Sequence, residues 1–215
     1  MYISYVSFNF QSADLEAEER NYLGHHVALA RRFPGVRQYY TGRLMKMGGK
    51  EPDRIRGAIL SYDNAAAAEA AMRSEVVPAL MTDTQAHLKD LMSHAAAAKA
   101  IVPFESRRAE QRCFAMVAEF DLEQSAGAAA AEERYLSKHT GIARRLPGLR
   151  NYIIGKLIQV PGGDVSRNRM AILVFDSLEA YRAAYASPVG AELLKDEEAT
   201  IRNAQVWRLD ARVEI

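Results

Sequence analysis

One stretch of this chain occurs twice. Tyr22 to Leu44 reads YLGHHVALARRFPGVRQYYTGRL, and Tyr135 to Leu157 reads YLSKHTGIARRLPGLRNYIIGKL. His26 falls on His139, Pro34 on Pro147, Tyr39 on Tyr152 and Gly42 on Gly155, at a constant offset of 113 residues (139 − 26), and about half of the positions are identical. The chain is therefore two copies of one unit of roughly a hundred residues, an ordinary domain size. We place the first unit at 1–104 and the second at 112–215. The charged, aperiodic run Glu105 to Gln111 lies between them as a linker. With 49% hydrophobic residues, each copy has enough apolar material for its own core.

Within a copy the elements follow from periodicity. Tyr2 to Phe10 alternates and is rich in β-formers, so it reads as a strand, with Cys113 to Phe120 as its counterpart. A helix is expected to run from the polar turn at Ser12 to Asp14 as far as Phe33, where Pro34-Gly35 stops it. In this helix Tyr22, His26, Leu29 and Phe33 share one face, and Tyr135, His139, Ile142 and Leu146 repeat them. Val36 to Met47 and Ile55 to Tyr62 are strands around a turn at Gly48 to Asp53. The second copy has the equivalent turn at Pro161 to Asp164 and a strand at Met170 to Phe175. Asp63 and Asp176 stand where they would cap a second helix, and Asp176 with Glu179 has the spacing of a capping box. The last strands are expected near Ala98 to Phe104 and over Val206 to Val213, with extra residues before the first of them. The order β-α-β-β-α-β is the ferredoxin-like motif. The expected fold is thus α+β: two tandem ferredoxin-like units packed sheet to sheet, a dimeric α+β barrel within one chain.

Composition excludes several function classes. Net charge is +1, from 28 basic and 27 acidic residues, which is no footprint for nucleic acid. No apolar run approaches the roughly 20 residues that span a bilayer. Cys113 is the single cysteine, so no disulfide forms within the chain, and a reducing, cytoplasmic setting is expected. Gly48-Gly49 and Gly162-Gly163 lack the surroundings of a phosphate loop, and no nucleophile elbow is present. No Cys, His and carboxylate cluster has metal spacing, so no metal and no organic cofactor is expected.

The chemistry-bearing residues are His26 and His139. On the buried stripe of a helix, each faces the space between helix and sheet, where a neutral imidazole of pKa near 6.5 could carry a proton. Tyr22 and Tyr135, one turn earlier, could orient it or bind a carbonyl oxygen. The plainer reading of both histidines is a core side chain satisfied by neighbouring backbone. Tyr39, Tyr40, Tyr152, Phe33 and Leu146 are the candidates for lining a substrate, with the strand register left open. His25, whose counterpart is Lys138, reads as surface-lying. His87 and His94 read as solvent-exposed, or else as part of a longer helix over one pocket. Cys113 reads as a small buried hydrophobe.

The pattern Tyr22-x-x-x-His26 followed by Pro34, Gly35 and Tyr39, with Tyr135, His139, Pro147, Gly148 and Tyr152 in the second copy, resembles the EthD-like family of the dimeric α+β barrel superfamily. Ser187-Pro188 with Asp196 resembles its second-helix region; Ser74 and Asp83 keep part of that pattern, but Glu75 replaces the proline. The tandem fusion departs from the usual single-unit homodimer. The resemblance implies a barrel that handles small, largely apolar oxygenated compounds, in a superfamily that includes isomerases, dehydratases, cyclases, decarboxylases and cofactor-free oxygenases. The expected activity is isomerisation, dehydration or decarboxylation, a lyase or isomerase reaction with histidine as general acid and base. The alternatives are a small-molecule-binding or accessory protein, and a haem-binding barrel with histidine as axial ligand. An intrachain pseudo-dimer is expected, with further homo-oligomerisation left open.

Overall fold

The computed structural model describes residues 1–46, 49–103, 109–160 and 166–215. The alternating stretch at the start of the chain forms β1 (Tyr2–Phe10). It is followed by α1 (Leu15–Asn21), a π-helical turn at Tyr22–His26, α2 (Val27–Ala30), β2 (Val36–Leu44), β3 (Arg56–Tyr62), α3 (Ala65–Met72), α4 (Val77–His87) and β4 (Leu88–Val102). The second half repeats the series: β5 (Arg112–Leu122), α5 (Ala128–Arg134), a π-helical turn at Tyr135–His139, α6 (Thr140–Ala143), β6 (Leu149–Ile158), β7 (Arg169–Phe175), α7 (Leu178–Ala186), α8 (Pro188–Thr200) and β8 (Ile201–Val213). The expected turns at Gly48 and at Pro161 to Asp164, Phe104, and residues 105–108 of the expected linker lie outside the described residues.

All eight strands pair antiparallel in one closed barrel. Within the first half the order is β4-β1-β3-β2, and within the second it is β8-β5-β7-β6. The halves join edge to edge through β2 with β8 and β4 with β6. Closure leaves no unpaired strand edge to recruit another chain. The side chains alternate accordingly. Ile3, Ile59, Val117, Ile172 and Leu209 fill the bore. The opposite faces carry Phe8, Tyr22, Tyr39 and Val76 in the first half and Phe120, Tyr135, Tyr152 and Leu193 in the second, each a core between sheet and helices. Each fully buried large apolar side chain contributes roughly 1.5–3 kcal/mol.

Glycine decides both seams. Gly42 pairs with Ala211 on the β2–β8 seam, and a Cβ there would lie 2.5 Å from the Asp210 carbonyl oxygen. Gly155 pairs with Ala98 on the β4–β6 seam, and its Cβ would meet the Ala96 methyl at 2.8 Å. The duplicated glycine is what lets the two sheets close on each other.

Four local expectations are corrected. The first helix ends at Ala30 rather than Phe33, after a π-helical turn. Asp63 and Asp176 do not cap α3 and α7. Asn64 and Ser177 do, one residue later, because Arg37 and Arg150 at the starts of β2 and β6 bind the two aspartates at 2.9 and 2.8 Å. Both final strands begin directly after their helices, at Leu88 and Ile201, so the first copy has no extra segment there. His94 is therefore neither exposed nor helical. It sits in β4, 4% exposed, and points into the bore.

The seam argument predicts that Gly42→Val lowers unfolding free energy by about 2 kcal/mol in a denaturant titration, from overpacking against backbone that cannot retreat. Gly141→Ala is the control. Its Cβ meets nothing within 4 Å on α6, and removing helix-interior glycine should stabilise by about 0.5–1 kcal/mol.

Candidate functional site

Both copies break their first helix at the same place. The Val27 amide donates to the Tyr22 carbonyl, and the Thr140 amide to the Tyr135 carbonyl, five residues back instead of four. Such π turns concentrate at functional sites. Within each, the tyrosine and histidine lie ring against ring: 5.0 Å and 19° for Tyr22 with His26, 5.2 Å and 21° for Tyr135 with His139.

An aspartate from the following helix then fixes each imidazole. His26 Nδ1 is 2.7 Å from Asp83 Oδ2, and His139 Nδ1 is 3.0 Å from Asp196 Oδ2. A proton on Nδ1 donated to carboxylate leaves the lone pair on Nε2, the tautomer of a general base. Among the described residues neither Nε2 has a hydrogen-bond partner. Burial lowers both histidine pKa values below 6.5, more strongly than the aspartates raise them, so both rings are neutral at pH 7.

The surroundings of the two aspartates differ. Asp83 receives Asn21 Nδ2 at 3.3 Å, and His25 Nε2 stands 3.9 Å away. At the equivalent positions Asp196 meets Arg134 at 3.3 Å and Lys138 at 2.9 Å, and it also accepts from Thr200 at 3.2 Å. Burial opposes ionisation of Asp196, but Lys138, His139 and Arg134 outweigh it and hold its pKa at about 2. Its negative charge is shared among three cationic or polar partners, whereas that of Asp83 acts chiefly on His26.

The tyrosines also differ. Tyr22 donates to Thr41 Oγ1 at 2.9 Å, since Thr41 itself donates to the Gly57 carbonyl at 3.1 Å, and the Tyr39 hydroxyl lies 3.3 Å from that of Tyr22. The Arg56 guanidinium stands 4.7 Å above the Tyr22 ring and is held by Glu19 at 2.6 Å. The second copy keeps Glu132 and Arg169 as an ion pair but has Ile154 in place of Thr41. Its Tyr135 hydroxyl lies beside that of Tyr152 with no aligned partner. Burial raises the pKa of Tyr39, Tyr135 and Tyr152, so all three phenols remain protonated donors.

The structure thus brings Tyr22, His26 and Tyr39 together in one half, and Tyr135, His139 and Tyr152 in the other. Phe33 and Leu146 pack in the same layers. Tyr40 does not join them, because it faces the bore from the other side of β2. His25 is exposed as expected, and Cys113 is buried. His87 ends α4 and binds Glu18 at 2.8 Å. Among the described residues no group of three or more His, Cys, Asp or Glu could hold a metal ion.

Sequence reasoning noted Asp83 and Asp196 only as part of the second-helix resemblance and gave them no role, and it gave none to Glu19 and Arg56 or their counterparts Glu132 and Arg169. The offset of 113 that they all share was the available signal. Glu197, where the first copy has Thr84, is pushed up to about 7 by burial and by the charge of Asp196.

Neither histidine lines either of two clefts on the surface. One, about 460 Å³, is bounded by Leu15, Glu19, Arg43 and Ile55, and the Glu19 in its wall binds Arg56, whose guanidinium covers the Tyr22 ring and closes the cleft off from it. The other, about 290 Å³, lies at the barrel mouth against Leu44, Gln205 and Trp207.

No family model matches the chain. An uncharacterised 11.0 kDa protein from the thcB–thcC intergenic region of Rhodococcus erythropolis is 32% identical over 68 residues, a match covering 32% of this chain and 66% of that protein. A proposed monooxygenase of Fusobacterium nucleatum superposes with a TM-score of 0.72 at 11% identity, covering 99% of this chain and 93% of its own. A proposed monooxygenase of Lactobacillus acidophilus superposes with a TM-score of 0.66 at 13% identity, covering 98% and 93%. The chain thus has the α+β fold of the dimeric α+β barrel proteins, built as a closed antiparallel barrel with helices outside it.

Proposed function

We propose that the protein is a fused pair of ferredoxin-like units of the EthD-like type, acting on a small, largely apolar oxygenated molecule by proton transfer. The observation that carries this reading is the duplicated His–Asp pair. In each half a carboxylate on one helix fixes Nδ1 of an imidazole on another and leaves Nε2 as base. Its resemblance in fold to proposed monooxygenases supports a role with small organic molecules.

The chemistry follows from the arrangement. Nε2 of His26 removes a proton from a carbon next to a carbonyl, and the released electron pair moves onto the carbonyl oxygen as an enolate. The Tyr39 hydroxyl, turning from its long 3.3 Å contact with Tyr22, is the donor for that oxygen while Tyr22 keeps its proton on Thr41, in a water-poor layer where such hydrogen bonds are strongest. Asp83 stabilises the imidazolium. Returning the proton to a different carbon isomerises the molecule; giving it to a neighbouring hydroxyl breaks the C–O bond and releases water. The base, its carboxylate and the phenols supply these steps without metal or organic cofactor. Substrate reaches them from the cleft beside Glu19 and Arg43 when the Glu19–Arg56 pair opens. The first half is the stronger of the two sites, because Asp83 keeps the charge that Asp196 shares with Arg134 and Lys138.

The test uses β-tetralone, a small aromatic ketone with acidic α-protons, and follows its deuteration in heavy water by NMR. The protein should accelerate exchange, and His26→Ala should remove about a hundredfold or more of that acceleration, with a smaller loss for His139→Ala. Full exchange in the His26→Ala, His139→Ala double variant would sink the mechanism, as would no acceleration by the wild type. A ligand-binding protein without chemistry would bind β-tetralone and leave its protons alone.

The rate should fall as pH drops through a half-point below 6.5, since the neutral base is the active form and its pKa is lowered. Folding stability should also fall below pH 6.5, because the unfolded chain takes up protons that the buried imidazoles refuse. Asn21→Arg with His25→Lys gives Asp83 the surroundings of Asp196. This double change should cut the rate about tenfold, roughly the effect of 1.4 kcal/mol on a barrier.

A further inference from the structure

The bore of the barrel is largely apolar, with Ser61 and Asn151 buried toward one end and a denser polar group toward the other. There Tyr5 and His94 from the first half meet Glu119 and Trp207 from the second, and all four are at least nine-tenths buried. His94 Nδ1 and Glu119 Oε1 stand 2.9 Å apart, off the line of a hydrogen bond. The Trp207 ring lies 5.2 Å from Tyr5 and 5.7 Å from His94. His94 Nε2 has no hydrogen-bond partner, and the side-by-side Tyr5 and Ser7 hydroxyls have none beyond each other. Gly57 makes room for the Tyr5 ring, since a Cβ there would lie 3.0 Å from Tyr5 Cε2.

Buried polar atoms are almost always partnered. Several orphaned polar atoms gathered at one spot of the bore therefore call for a partner outside the protein. The cleft of about 290 Å³ at the barrel mouth has Trp207 and Gln205 in its wall, with Lys50, Glu51, Asp53, Arg54 and Arg208 around them. Tyr5, His94 and Glu119 do not line it, and it comes to them through Trp207, which touches Tyr5 and His94, and Gln205, which pairs with Glu119 across the strands. That volume exceeds the roughly 150 Å³ cavity that takes a benzene-sized guest.

We propose that this end of the bore is a second small-molecule site, distinct from the His–Asp pairs and built by both halves, for an uncharged aromatic alcohol. The guest's ring packs on Trp207 and Tyr5. Its hydroxyl donates to Glu119 and accepts from His94 or Tyr5. A neutral guest enters such a buried place at less cost than an ion, which would be stripped of its water there.

Trp207 is the single tryptophan, so its fluorescence reports on this site alone. Phenol, titrated into the intact protein, should give a saturable change, and toluene should bind at least about tenfold more weakly, a difference of ~1.4 kcal/mol. His94→Leu should abolish the preference for phenol, and Glu119→Gln, of nearly the same shape, should reduce it. The His26→Ala, His139→Ala double variant should bind phenol as the wild type does, which separates this site from the proposed catalytic layer. A response that stays linear to roughly 10 mM, weaker than any useful site, overturns the proposal. So does equal affinity for toluene and phenol in the wild type, a measurement that needs no variant to fold. Loss of phenol binding in the folded double histidine variant overturns it too, by placing the guest in the helix layer.

Discussion

Edge-to-edge pairing of two four-stranded sheets is the constraint on which the rest of this structure depends. Alone, each half would present β2 or β6 at one edge and β4 or β8 at the other, with unpaired amides and carbonyls along both. A sheet so exposed invites pairing with any available strand. Joining β2 to β8 and β4 to β6 satisfies both edges at once and buries the two inner faces against each other. The helices are then confined to the outside, and the layers between helix and sheet become the only places where their histidines can lie.

Much of this was legible in the residues. The shared offset divided the chain in two. Alternation placed β1 at its observed bounds and most other strands within a few residues of theirs. The failures have physical causes. A π turn is a backbone choice between acceptors four and five residues back, and no side chain announces it. The alanine-rich run before Val102 has the composition of a helix, yet pairing with β1 and β6 makes it a strand of fifteen residues. Here tertiary context overrides propensity. That same error hid the burial of His94. The aspartates of the two histidine pairs lie 57 residues from their partners, so the resemblance and the repeat marked them but no local pattern joined them to the histidines.

The halves retain one scaffold but not one chemistry. Tyrosine, histidine, aspartate, glutamate and arginine recur at matching positions of the helix layers. What changed is the company they keep. Asn21 against Arg134, His25 against Lys138 and Thr41 against Ile154 alter the charge on one carboxylate and the hydrogen bonding of one phenol. These are small edits around a preserved centre, and they separate the two centres electrostatically without disturbing the fold.

Fusion has one further consequence, visible where the inner faces meet. Tyr5 lies opposite His94, while Val117 lies opposite Trp207, so the matching places on the two sides of the pseudo-axis hold unlike residues. Two copies of a single polypeptide could never arrange this, since any side chain set on one side of a true dyad must appear again on the other. Because both halves belong to one chain, matching positions are free to differ, and at the heart of the barrel they do.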